Sequence, residues 1–344
     1  MRVPPVRPLP GALPARLAVL AVLALTACAP PAADPGPEGR SLVLAHFLPP
    51  LSSVRTSVVV PFAERLAERS GGSLTATEYM GGTLGSASRR YYSMVLDGVA
   101  DIVVTMPGYT AATFPRTALS VYPGVCESGI GCTAALRRAL PVLEEEYGAR
   151  ILAIWSAPPP VLLTRDRPVR SLKDFEGLRL RVSSLLEVPF VEALGASAVM
   201  QPAPDLQQSL HTGVIDGVVI TAAGVLPYQL QEAAAFLTTW MPLSAAPWVL
   251  LMNRDSYASL SARERSWLDA AADASLSLSG ARAYELASDR SLRMIEEAGV
   301  ELIDLSEEEK ARLEEAVAGV YRVQLSRRVG GMTAGEIIDL FRGS

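Results

Sequence analysis

An α/β fold with largely parallel strands is predicted by three features of the 344-residue chain. Short apolar runs rich in strand formers alternate with segments of helical period. The second half of the chain repeats the style of the first. A chain of this length also usually divides its core between two domains.

The elements follow in order. Residues 41–47 (SLVLAHF) read as a strand, and a loop with Pro49 and Pro50 comes next. A helix runs through Phe62, Leu66 and Arg69, and Gly71-Gly72 ends it, because glycine enters the left-handed cap conformation freely. Residues 74–79 read as a strand, the glycines at 81, 82 and 85 as a loop, and 88–96 as a helix closed by Gly98. Strands are expected at 101–105 and 150–156, with a helix over 132–147 between them. Further strands fall at 161–164 and 178–182. In the second, Leu178 to Val182 alternates apolar residues with Arg179 and Arg181, so both arginines share one face. Helices over 187–194 and 205–212 close at Gly195 and Gly213, and strands follow at 214–221 and 248–253. Ser171-x-x-Asp174 has the form of a capping box and starts a short turn. Ser261-x-x-Glu264 caps a long helix extending to about residue 297, Ser306-x-x-Glu309 one to about 327, and Thr333-x-x-Glu336 a last short one.

Composition excludes several functions. With 31 basic and 36 acidic side chains the formal charge is −5, and no Lys/Arg-rich block gives phosphates a basic face, so nucleic acid is not an expected partner. An apolar share of 49% is too high for disorder. Two histidines and three cysteines leave few ways to build a metal site, and neither a metal nor a cofactor is expected.

Residues 1–27 carry Arg2, Arg7 and Arg16 and no acid, followed by an apolar run from Leu17 to Leu25. At about 1.5 Å per residue the run is too short for a bilayer core of about 30 Å, which describes an export signal. Its exit, Leu25-Thr26-Ala27-Cys28, resembles a bacterial lipobox, in which Cys28 is lipidated and anchors the chain to a membrane. Residues 29–40, rich in Pro, Gly and Ala, read as a tether. Cys126 and Cys132 flank a flexible stretch, and in an oxidising compartment a local disulfide is expected.

Six sequence pieces stand in a recognisable order: Phe62-Ala63-Glu64 with Gly71-Gly72, Gly81-Gly82-Thr83-Leu84-Gly85, Gly98-Val99-Ala100-Asp101-Ile102, Gly177-Leu178-Arg179-Leu180-Arg181-Val182, Leu194-Gly195-Ala196, and Thr212-Gly213-Val214-Ile215-Asp216-Gly217. Together they resemble the solute-binding component of tripartite ATP-independent periplasmic (TRAP) transporters, the DctP family, over about residues 41–341. The resemblance implies a two-lobed periplasmic-binding-protein fold. Each lobe is a mixed, mostly parallel sheet flanked by helices, with hinge strands and a long hinge-spanning helix. Lobe I would take 41–158 and about 249–285, and lobe II about 159–248 and 286–344. The resemblance further implies a periplasmic protein that closes on a small organic acid and passes it to TRAP membrane subunits, while the anchor is what the lipobox implies.

The family's carboxylate-binding arginine falls on Arg181, whose planar fork suits two parallel charge-assisted bonds. Arg179 reads as a surface residue. The remaining expected cleft positions are apolar: Phe47, Met106, Val161 and Ile220, with His46, Trp155 and Trp240 as further ligand contacts. His46 also fits a strand-end histidine bonded to backbone, and each tryptophan also fits the core. One cation and an apolar wall suit a monocarboxylate with an apolar tail. A dicarboxylate or sugar acid would leave polar groups unpaired there, at about 1–3 kcal/mol each. Two other functions remain open. An exported hydrolase or isomerase would need an acid/base pair or activated nucleophile, and two histidines in unconnected motifs supply none. A ligand-binding subunit of a sensor would share every feature above.

Overall fold

The computed structural model describes residues 39–85 and 87–343. Cys28, the expected signal and most of the expected tether lie outside the described residues. Among the described residues no helix is long and apolar enough to cross a membrane.

Eleven strands among the described residues build two main sheets: β1 (Arg40–Ala45), β2 (Leu74–Tyr79), β3 (Ile102–Thr105), β4 (Arg150–Ser156), β5 (Val161–Thr164), β6 (Arg179–Val182), β7 (Ser197–Met200), β8 (Gly217–Ile220), β9 (Phe236–Thr238), β10 (Pro247–Met252) and β11 (Glu301–Ile303). The first sheet has the order β2-β1-β3-β10-β4 and the second β11-β9-β5-β8-β6-β7. Strands joined through helical crossovers, such as β1 with β2 and β3, or β6 with β7 and β8, pair in parallel. Each sheet also holds one strand antiparallel to both neighbours: β10 in the first and β5 in the second. These are the strands that enter directly from the other sheet. Chain passes from β4 to β5 through Ala157-Pro158-Pro159-Pro160, and from β9 to β10 through residues 239–246. The molecule is thus a two-lobed α/β protein with mixed sheets.

Local chemistry fixes these elements. The Val60–Ser70 helix buries Phe62, Leu66 and Ser70 and ends at Gly71, whose φ of 60° is left-handed. Gly217 opens β8, where a Cβ would lie 2.8 Å from the Leu163 carbonyl oxygen and 2.8 Å from Leu180 Cδ2, so only glycine lets β5, β8 and β6 close up. Asp216 beside it accepts hydrogen bonds from the Arg179 backbone N–H (2.9 Å), Nε (2.9 Å) and Nη2 (2.7 Å). The Cys126 and Cys132 sulfurs are bonded, with Cα atoms 5.2 Å apart, beside Ser128, which accepts the Gly131 N–H of the Gly129–Arg138 helix.

Three expectations are corrected. The long helix is two: Ala262–Ala271 and Ala274–Glu297, because Asp273 accepts the N–H groups of Ser275 and Leu276 and starts a new helix. The expected 132–147 helix begins at Gly129 and breaks after Arg138, where Pro141 heads a separate turn. The closing Ala334–Arg342 helix, expected with the second lobe, packs on the Gly129–Arg138 helix of the first. There Arg138 donates to the Phe341 carbonyl and Arg342 Nε to that of Gly124 (3.1 Å). The Ala274–Glu297 helix touches the Gly129–Arg138 helix and β4 on one side and the Ala222–Val225 helix of the other lobe. At 24 residues it is about 36 Å long and spans both.

Candidate functional site

A cavity of about 70 Å3 lies where the two lobes meet. Its walls are mostly apolar. Leu48, Val54, Met106 and Trp248 come from the first lobe, Val219, Ile220 and Pro227 from the second, and Pro158 and Pro160 from the crossing between them. Polar groups gather around Arg181: Tyr109, Ser183, Glu187, Tyr228 and Tyr284.

Arg181 arrives here because β6 alternates. Leu180 and Val182 are wholly buried in the core, and the arginine between them is turned the other way and is only 2% exposed. Nε donates to the Gln201 carbonyl at 2.7 Å and Nη1 to the Val219 carbonyl at 3.1 Å. These bonds fix the plane of the guanidinium and use two of its five N–H donors. The others are left for the Tyr109 hydroxyl beside it and for a ligand. A buried cation held by carbonyl dipoles keeps a strong demand for an anion.

Tyr109 comes from the Pro107–Thr110 turn of the first lobe and reaches into the second, where its hydroxyl accepts the Ala203 N–H at 3.3 Å. Burial raises its pKa, against the opposing pull of Arg181, so the phenol stays neutral. Next to it, Gly108 packs against the second lobe, and a Cβ there would lie 3.2 Å from Ser184 Cβ. The lobes are therefore in contact around the cavity.

Of the expected contacts, Arg181, Met106 and Ile220 line this cavity together. Phe47, His46, Val161, Trp155 and Trp240 are not among the described residues that line it, and each has a structural place instead. His46 is wholly buried, with Nε2 2.7 Å from Glu78 Oε1 and Nδ1 accepting the Leu48 N–H at 3.2 Å. Glu78 also takes two bonds from Arg55, at 2.7 and 2.8 Å. Burial lowers the His46 pKa, outweighing the pull of Glu78, so the ring is neutral and donates through Nε2. Phe47 lies behind the wall, its ring 5.8 Å from that of Tyr109 and 6.1 Å from that of Trp248. Val161 and Trp155 are core, and Trp240 is half-buried against it. Alternation placed these residues on strands but not on a face of the cavity.

Tyr109, read from the sequence either as a residue of the cleft mouth or as an ordinary half-buried tyrosine, lines the cavity, whereas Glu187, Tyr228 and Tyr284 were missed. Glu187 carried one local signal, the Ser184-x-x-Glu187 spacing. Its Oε2 accepts the N–H groups of Ser183 (2.7 Å) and Ser184 (3.3 Å), while the Ser183 hydroxyl sits 2.8 Å from Oε1. Nothing local marked Tyr228 and Tyr284, which come from distant segments. Among the described residues no cluster of His, Cys, Asp or Glu could hold a metal ion.

The sequence profile of a family described as bacterial extracellular solute-binding protein, family 7 (DctP), matches residues 44–327. A solute-binding protein of Albidiferax ferrireducens is 25% identical over 197 residues, which cover 54% of this chain and 55% of that protein. The match thus spans about half the length of that relative. Among solved structures, a marine metagenome TRAP solute-binding protein specific for aromatic acids, in complex with 3-hydroxybenzoate, is 25% identical with a TM-score of 0.83, over 89% of this chain and 98% of the other. A TRAP solute-binding protein of Rhodoferax ferrireducens T118, with copurified benzoate, shares the fold at 23% identity and a TM-score of 0.80, over 88% and 97%.

Proposed function

The chain belongs to bacterial extracellular solute-binding protein family 7, and from that premise we propose that it captures a small monocarboxylate with an apolar tail and delivers it to TRAP membrane subunits. Members of this family are binding proteins rather than enzymes. The observation that carries the proposal is the buried Arg181 guanidinium, fixed by two carbonyls and facing a mostly apolar interlobe cavity in which it is the one cation among the described lining residues. A carboxylate takes the remaining donors of the fork, and Met106, Ile220, Pro160 and Trp248 close on the tail. Aromatic acids bound by two structural relatives support this class of ligand. A second carboxylate finds no second cation among the described lining residues. Action outside the cytoplasm, with a lipid on Cys28 holding the protein to a membrane, completes the proposal.

The test is a thermal-shift screen with benzoate, 3-hydroxybenzoate, isovalerate, succinate and galactonate. Benzoate or isovalerate at ~100 times the dissociation constant raises stability by about 2.7 kcal/mol, a shift of a few degrees. Arg181→Ala removes that shift and weakens binding at least ~30-fold, the equivalent of about 2 kcal/mol for a buried charge contact. Shifts confined to succinate or galactonate would reject the monocarboxylate assignment. An undiminished benzoate shift in Arg181→Ala would reject the anchor.

A further inference from the structure

Glu187 stands on the wall of the same cavity as Arg181, and carboxylate capture does not require its charge. The residue is 5% exposed. Its three hydrogen-bond donors, two from Ser183 and one from Ser184, are all neutral. The groups that face it are Arg181 on β6 and Tyr109 on the Pro107–Thr110 turn, and Tyr228 and Tyr284 stand next to Tyr109. Burial keeps all three tyrosines neutral, so Arg181 is the one cation among these groups. The guanidinium donates to the Gln201 and Val219 carbonyls.

With Glu187 ionised, the free cavity carries one positive and one negative group on the same wall. A ligand carboxylate that engages Arg181 changes this balance. Two carboxylates then compete for one guanidinium inside a mostly apolar wall, and like charges in such a setting push one pKa strongly upward. The ligand group gains the direct contact with the cation, so Glu187 is the group left uncompensated. We propose that Glu187 takes up one proton from solvent when the acid anion binds, so that the cavity captures the anion together with a proton. This rests on the carboxylate-capture reading above and specifies the form in which the ligand is held. The balance is simple: a solvent proton forms an O–H bond on Glu187, no other bond breaks, and the complex keeps the charge of the free protein. The Ser183 hydroxyl beside Oε1 turns its own hydrogen away and accepts the new O–H. Burial has already moved the Glu187 carboxyl above its ordinary range, against the pull of Ser183, Arg181 and Ser184.

Isothermal titration of benzoate and of isovalerate into the full-length protein, near pH 7 in phosphate and again in Tris, counts the protons taken up. The expected result is a heat that differs between the buffers by close to one proton per ligand, with affinity falling up to ~10-fold per pH unit above neutrality. In Glu187→Gln the buffer difference disappears and the affinity becomes flat with pH. Binding with equal heats in both buffers overturns the proton proposal and leaves acid capture standing. A buffer difference that survives in Glu187→Gln also overturns it, because the proton then goes elsewhere. No binding of either acid in either buffer overturns the capture reading and the proton proposal with it. If Glu187→Gln does not fold, the infrared difference spectrum of the wild type decides: benzoate must raise a protonated-carboxyl band, and its absence rejects the proposal.

Discussion

His46 is wholly buried with both ring nitrogens engaged, so its titration bears on stability. Its folded pKa lies below the ordinary 6.5, because burial outweighs Glu78. As pH falls past 6.5 the unfolded chain takes a proton that the folded one refuses, and stability is lost on acidification. Glu78 shifts the same way at lower pH. Burial acts to raise it, but bonds from Arg55 and His46 hold its carboxyl below the ordinary 4.5. The expected outcome is a melting temperature that drops as the buffer is taken from about pH 7.5 to 5.5. In His46→Gln the slope is shallower, although the protein melts lower at neutral pH. An unchanged slope would assign the effect to another group. At this scale Arg181 was legible, because its motif and the strand alternation both fix its direction. Glu187 was not legible, because its place on the cavity wall depends on the turn after β6 and not on any periodic pattern.

Elements with strong local grammar were readable: capping boxes at Ser171, Ser261 and Thr333, and the glycine stop at Gly71. The missed strands β7, β9 and β11 have three or four residues and lie at or next to the edges of the second sheet. They form because neighbouring strands offer them hydrogen bonds, which is a tertiary cause. Asp273 could be read either as a polar helix residue or as a new cap, and the structure uses it as a cap. Asp273→Ala should therefore cost ~1 kcal/mol, seen as a lower urea midpoint with an unchanged slope. Gly280 on the same helix lies so close to the first lobe that a Cβ would come within 2.3 Å of Val58 Cγ2 and 3.3 Å of the Ser57 carbonyl. Gly280→Ala trades better helix propensity for that clash, and a net loss of about 1–3 kcal/mol is expected. A stabilised Gly280→Ala would mean that the helix can move away at no cost.

For the whole molecule, the contact of Gly108 with Ser184 makes closure a matter of backbone approach. Gly108→Val should hold the lobes apart. Benzoate would then shrink the radius of gyration of the wild type in X-ray scattering but not that of the variant, and the variant would bind more weakly. Equal compaction in both would show that the contact does not govern closure. The two lobes were legible from length and family pattern, but their seam was not, because the terminal helix returns to the first lobe. The placement of β10 has a consequence for the order of assembly. This strand sits between β3 and β4, yet it is made after the chain has already built β5 to β9. Until residue 252 is available, β3 and β4 have an open gap between them and the first sheet cannot close. Neither lobe is a folding unit in sequence order, and the chain must delay half of its core until most of its length is present. A polypeptide that crosses a membrane from its N-terminus would thus remain pliable for most of its passage, and would commit to its structure near the end.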